Sequence, residues 1–220
     1  MRALFGVAGA ALCLAPPPAA VPLPSAEARV LIASLETQLA ARDSATDTLR
    51  LWCGVLHLAD PPQIAAQRAP GPDKPADAEV RRLLHAAPDE PIRYRRVALT
   101  CGGRVLSNAD NWYRPGRLTA VMNAELDATD HPFGSVVKPL RFHRVTLDDE
   151  VLLPPGDAPI PADVIRHRAL LETPDREPFS LVVETYTAHV LDVGAADPPP
   201  RPIKSISVEI ARPPLPPPKP

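Results

Sequence analysis

The stretch IRYRRVALTCGGRVL, residues 92–106, decides the fold. Ile92–Cys101 reads as a strand. Gly102-Gly103 supplies two consecutive positions that accept positive φ, the signal of a two-residue hairpin, and the chain returns through Val105 and Leu106. Upstream the period is helical: Leu31, Leu35 and Leu39 fall at i, i+4, i+8 and predict an amphipathic helix over 26–41. Asp43-Ser44 offers a fresh cap, and Ser44 with Asp47 makes a partial capping box. A second helix is predicted through Leu49, Trp52, Val55 and Leu56, ending before Pro61-Pro62. Residues 69–78 read as a loop and Ala78–Leu84 as a short helix. Downstream, a helix is predicted over Leu118–Leu126 and strands over Val136–Leu147, Ile165–Leu171 and Phe179–Tyr186, the last being the strongest. Thr173–Pro178 is a turn, and Ile206, Val208 and Ile210 alternate as a final edge strand would. Helices first and hairpin-ordered strands later imply an α+β domain with a largely antiparallel sheet.

Composition sets the limits around that domain. The 220 residues are 45% hydrophobic with a formal net charge of −2, which argues against nucleic acid or an anionic membrane as the main partner. Of the 31 prolines, 15 lie in residues 1–24 and 198–220, so they frame a breaker-poor middle. Arg2 precedes a run, Ala3–Leu14, without a polar side chain, and Ala26-Glu27-Ala28 has the A-x-A form of a cleavage site. Residues 1–28 are therefore expected to be a signal peptide of an exported, periplasmic protein. The alternative is a cytoplasmic protein with an N-terminal extension. The run is too short to span a bilayer. Residues 29–197 form the single domain, and 198–220 a proline-rich segment with an edge strand expected at 204–210. Beyond the leader only Cys53 and Cys101 remain. They read as small buried hydrophobes, and whether they pair is open. No metal-binding spacing, phosphate-binding loop or nucleophile elbow is present, and the six histidines are scattered, so no metal is expected.

Two charges interrupt the strands. Arg96 shares a face with Ile92, Tyr94 and Ala98, and Glu184 shares one with Ser180, Val182 and Tyr186, since alternate residues point the same way. A charge on an apolar strand face is costly unless it is paired or faces a ligand. One reading is an anion-binding arginine and a hydrogen-bonding carboxylate in a single cavity. The other is an exposed face or a structural Arg96–Glu184 pair. Arg166 and Arg168 share a strand face and could hold a dianion, or be solvated. His131-Pro132-Phe133-Gly134 is a tight loop whose backbone N–H groups could line a site.

In order from Asp43 to Tyr186 these pieces resemble the chorismate lyase family. The matching segments are Asp43-Ser44-Ala45-Thr46, Arg95-Arg96-Val97-Ala98-Leu99-Thr100-Cys101, Leu106-Ser107 through Tyr113-Arg114-Pro115, His131-Pro132-Phe133-Gly134, Arg166-His167-Arg168 and Val183-Glu184-Thr185-Tyr186. The resemblance implies a six-stranded antiparallel sheet with helices packed on it, and a buried site. It implies elimination of pyruvate from chorismate to leave 4-hydroxybenzoate, a quinone precursor, with no cofactor, in a monomer. Arg96 would then hold a substrate carboxylate bidentately. Glu184 would hydrogen-bond the ring hydroxyl, and the Phe133 N–H, with Gly134 beside it, would bind a carboxylate. Arg166 and Arg168 would add positive charge. The family's second arginine is matched here by Asn111 and its methionine by Ala45. The alternatives carried forward are an exported, non-catalytic binding protein for a small aromatic or cyclohexadiene carboxylate, as in the related UTRA ligand domains, and a structural protein anchored by its proline tail.

Overall fold

The computed structural model describes residues 25–69 and 71–192. The expected leader, apart from Ser25–Ala28, and the expected edge strand at 204–210 lie outside them. Two helices open the chain. α1 (Ser25–Ala40) buries Ala28, Ile32, Leu35 and Leu39 along one stripe. α2 (Ala45–Val55) starts where Ser44 Oγ accepts the Asp47 N–H at 3.2 Å, and it buries Leu49, Trp52 and Cys53. A short strand β1 (Ala65–Arg68) and a helix α3 (Ala78–Leu83) follow, the latter capped by Asp77, whose carboxylate accepts the Val80 N–H at 2.8 Å.

The hairpin is β2 (Arg93–Cys101) and β3 (Arg104–Tyr113). Gly102 and Gly103 sit at φ 55° and 79°, and a Cβ on Gly102 would come within 2.4 Å of the Leu58 carbonyl oxygen, so glycine is required there twice over. α4 (Ala120–Ala128) begins after the Thr119 cap, two residues later than its apolar spacing suggests. α5 (Phe133–Val137) runs into a 3-10 turn, Lys138–Leu140. β4 (His143–Val151), β5 (Asp163–Glu172) and β6 (Pro178–Thr187) complete the fold. Val136 and Val137 are thus helical and not the start of a strand. Pro139 has no N–H to give a ladder and Arg141 sits at φ 50°, which together delay the strand to His143.

Among the described residues, the six strands form one antiparallel sheet in the order β1-β2-β3-β6-β5-β4. One face carries α1 and α2 over Val97, Leu99, Ala109, Ile165, Val182 and Tyr186, with α4 and α5 over Tyr113, Leu171 and Phe179. The opposite face is covered by α3 over Trp112, Leu170 and Leu181. Cys53 and Cys101, both buried, are joined as a disulfide that ties α2 to the end of β2. The sequence left that pairing undecided; the helix-on-sheet packing brings the two together.

Candidate functional site

Strand register decides which charges meet. Reading across the sheet, Val97, Ala109, Glu184 and His167 form one row, and Arg95, Asn111, Val182 and Ala169 form the next. Both rows face the layer of α1, α2, α4 and α5. Between them runs the row Arg96, Asp110, Val183, Arg168, which faces the other way. Arg96 and Glu184 therefore lie on opposite faces of the sheet and share no cavity. The guanidinium that joins Glu184's face is that of Arg95.

A cavity of about 50 Å³ opens on that inner face. Its floor is Arg95, Val97, Ala109, Asn111, Val182 and Glu184, and its roof comes from Ser44-Ala45-Thr46, Phe133, Gly134 and Phe142, with Arg144 at one side. Of the residues singled out from the sequence, Glu184, Phe133, Gly134, Asn111 and Ala45 are brought together here. Arg96, Arg166 and Arg168 are not. Arg96 is 43% exposed and reaches Asp110 at 3.6 Å, while Arg166 pairs with Glu150 at 3.0 Å and Arg168 with Glu79 at 2.9 Å. One residue of parity moves each of them to the far face.

The inner face holds a buried polar cluster. Glu184 Oε2 accepts from Arg144 Nη2 at 2.6 Å and from the Tyr186 hydroxyl at 3.0 Å, and the pair's side chains are only 5% and 7% exposed. Burial alone would push the Arg144 guanidinium down, but the Glu184 carboxylate beside it outweighs that and holds it above its ordinary value. Burial and the same carboxylate hold the Tyr186 phenol well above the usual tyrosine range, so it stays a donor. Asn111 Oδ1 accepts from Ser180 Oγ at 2.6 Å.

Arg95 has a different environment. Its guanidinium donates to the carbonyls of Leu126, Thr129 (3.0 Å) and His131 (2.9 Å) at the end of α4 and the linker to α5. Its Nε is buried without a hydrogen-bond partner, and among the described residues no carboxylate forms a salt bridge with it. Burial first, and the like charge of Arg68 second, draw its basicity below the ordinary arginine value. Unsatisfied buried donors of this kind are uncommon and point to a missing partner.

His167, next to Glu184 across the β5–β6 pairing, has a buried Nε2 without a hydrogen-bond partner, 4.0 Å from Glu36 Oε1. Burial lowers its pKa despite the pull of Glu184. The unfolded chain, with a histidine pKa of about 6.5, therefore binds more protons in this window. The resulting stability is present in full above about pH 6.5 and is lost as pH falls below it towards the folded value. Thermal unfolding between pH 7 and 5.5 should accordingly show a steeper loss of Tm in the parent than in His167→Gln. Parallel profiles would contradict the assignment.

A second cavity, of about 600 Å³, lies at the β2 edge under residues 71–76 and is lined among others by Arg68, Lys74, Tyr94, Arg96 and Trp112. Arg95 lines this cavity too; the other cations are already engaged: Lys74 and Arg96 share Asp110, Arg93 holds Asp127 and Arg68 holds Asp130. Among the described residues, Arg95 is thus the one arginine that borders both spaces.

Comparison with known proteins gives the molecule its relatives. No family model matches the chain. It is 44% identical over 191 residues, 79% of this chain and 81% of that protein, to the uncharacterized protein y4mC of Sinorhizobium fredii (strain NBRC 101917 / NGR234). The chain belongs to the y4mC family. Among solved structures, PhnF from Mycobacterium smegmatis superposes with a TM-score of 0.50 at 13% identity, over 70% of this chain and 67% of that one. The effector domain of the same protein matches with a TM-score of 0.46 at 11% identity, over 58% and 82%. This y4mC-family chain therefore has the UTRA or chorismate-lyase-like α+β fold found in effector domains of GntR-family regulators. The fold is shared; at such identity the chemistry is not carried with it.

Proposed function

We propose that the chain binds a small organic acid in the inner cavity, with the acid's carboxylate on Arg95. One observation carries this: an arginine lining the cavity whose Nε is buried without an acceptor and whose charge has no carboxylate partner among the described residues. A carboxylate offers the two coplanar oxygens that a guanidinium holds best. Asn111 stands opposite Arg95 across the strands, Ala45, Phe133 and Gly134 close over the ligand, and the Arg144–Glu184 pair meets its far end. An aromatic or cyclohexadiene acid bearing a hydroxyl, such as 4-hydroxybenzoate, fits that order of groups. The Cys53–Cys101 disulfide supports an oxidising, exported setting for the protein.

A lyase reading has one observation in its favour. Both protein partners of Glu184 use Oε2, which leaves Oε1 for a substrate hydroxyl. Calorimetry with 4-hydroxybenzoate, alongside incubation with chorismate, separates the two readings. Binding of 4-hydroxybenzoate that weakens roughly tenfold to a hundredfold in Arg95→Met, without chorismate turnover, is the expected result, because a lost charge-assisted bond costs about 1.5–3 kcal/mol. Release of pyruvate from chorismate that Glu184→Gln abolishes would establish the lyase instead. Unchanged affinity in Arg95→Met would overturn the carboxylate assignment under either reading.

A further inference from the structure

The inner cavity, as it stands, is too small for the ligand class assigned to it. At about 50 Å³ it holds one or two waters, each of which takes about 30 Å³ in the liquid, whereas ligand pockets run to roughly 300–1,000 Å³. One wall has to move. The floor is the centre of a six-stranded sheet, held by pairing on both sides. The α2 wall is fixed by the Cys53–Cys101 bond and by Trp52 Nε1, which donates to the Val190 carbonyl at 2.8 Å. The remaining roof is Phe142, at the foot of β4, with Phe133 and Gly134, and the last two follow a linker, Thr129–Pro132, that has neither helix nor strand. Three backbone carbonyls of residues 126–131 are held by a single side chain, Arg95.

We propose that Arg95 is the latch of this roof, and that an anionic ligand opens it by competing with the Thr129 and His131 carbonyls for the same guanidinium. The inference rests on the binding reading above and adds the mode of entry and response. Arg95 Nη2 is shared between Thr129 O and His131 O, while Nε is unpartnered. A carboxylate that takes Nε alone makes one bond. Bidentate seating on Nε and Nη2 takes one of the two Nη2 hydrogens, and because both are already committed, one of the two carbonyls loses its donor. The exchange is favourable in charge, since a neutral carbonyl dipole is replaced by a full negative charge beside a buried cation. A neutral ligand of the same shape has no such charge to offer, so the latch selects for acids. Arg68 holds the Leu126 and Asp127 carbonyls as well, but it does not line the inner cavity, so it anchors α4 without reading the ligand. Arg95 is in this sense a positioning residue for Phe133 and Gly134 as well as a ligand contact.

Hydrogen exchange of the full chain, followed by mass spectrometry on peptides covering 126–134, tests the latch. Without ligand, Arg95→Met should exchange at least about tenfold faster there than the parent, with Arg95→Lys intermediate. Circular dichroism on each variant ensures that the comparison is between folded proteins. Saturating the parent with 4-hydroxybenzoate should raise exchange at 129–134 towards the Arg95→Met level, 4-hydroxybenzamide should not, and Arg68→Met should leave the 4-hydroxybenzoate effect intact. Ligand-induced protection of 129–134, or equal exchange in ligand-free parent and Arg95→Met, would overturn the latch. Calorimetric silence with 4-hydroxybenzoate would sink the binding reading alone; the ligand-free comparison would still decide whether Arg95 holds the roof.

Discussion

Arg144→Met is expected to destabilise the folded chain by roughly 3–5 kcal/mol, because it leaves the Glu184 carboxylate buried with its counter-charge gone. The Arg144–Glu184 contact is 2.6 Å long with both side chains almost fully covered, so solvent screens it little. The Tyr186 hydroxyl would remain as a partner for Glu184, but one neutral donor does not replace a guanidinium. Urea unfolding should show the loss, and a Tm lower by roughly 6–20 °C should accompany it, at about 2–4 °C per kcal/mol for a chain of this size. Adding Glu184→Gln to Arg144→Met should recover a large part of the loss, since the uncompensated charge is then removed. A single variant within about 1 kcal/mol of the parent would show that Glu184 does not depend on this guanidinium. The strong ion-pair account would then be wrong.

The second large effect is expected from the disulfide. Cys53 and Cys101 are 48 residues apart, and closing a loop of that length removes unfolded-state entropy worth about 4 kcal/mol in the chain-entropy model. The Cys53→Ser, Cys101→Ser double variant, or the parent under reductant, should lose roughly 2–5 kcal/mol. Function should suffer with it. Ser44, Ala45 and Thr46, which roof the cavity, lead into α2, and α2 is tied to the sheet through Cys53 and to the turn after β6 through Trp52. Slackening that tie lets the roof drift, and affinity for 4-hydroxybenzoate should fall even where the protein remains folded. A melting temperature indifferent to reductant would mean that the two thiols do not pair in solution.

The fold was legible where local chemistry speaks for itself. Gly102-Gly103 fixes the β2–β3 hairpin because both residues need positive φ, and Ser44 announces the start of α2 through its cap. The strand Phe179–Tyr186 and the isolation of Glu184 within it were equally readable. Less legible were features that depend on tertiary partners. β1 is four residues, Ala65–Arg68, with no alternation, and it is a strand only because β2 offers it an edge. Val136 and Val137 carry strong strand propensity but pack as helix against the Phe179 cluster.

Of the arginines that line the inner cavity, Arg95 lies one residue from the one the sequence singled out. Arg95 and Arg96 are adjacent and both faces of β2 carry apolar neighbours: Val97 and Leu99 on one side, Tyr94 and Ala98 on the other. Strand periodicity groups residues by face without saying which face meets the cavity. The register shift at Leu99/Thr100 further uncouples the strand from the spacing to Cys101. A usable signal did exist. Val97 and Leu99 continue the apolar face that Cys101 ends, and Arg95 lies on that face. Arg144 was missed because it lies in a segment whose strand begins later than its valines suggest. His167 was hidden between Arg166 and Arg168, the two charges that drew attention.

The central claim is that ligand meets the Arg95 face of the sheet and not the Arg96 face. A crystal structure of the full chain soaked with 4-hydroxybenzoate tests it most directly. The account predicts the carboxylate within hydrogen-bond distance of Arg95 Nε and Nη2, the ring beneath Phe133, and the hydroxyl end towards Glu184. Density for the ligand against Arg96 and Lys74 in the outer cavity, with the inner one still closed, would contradict it.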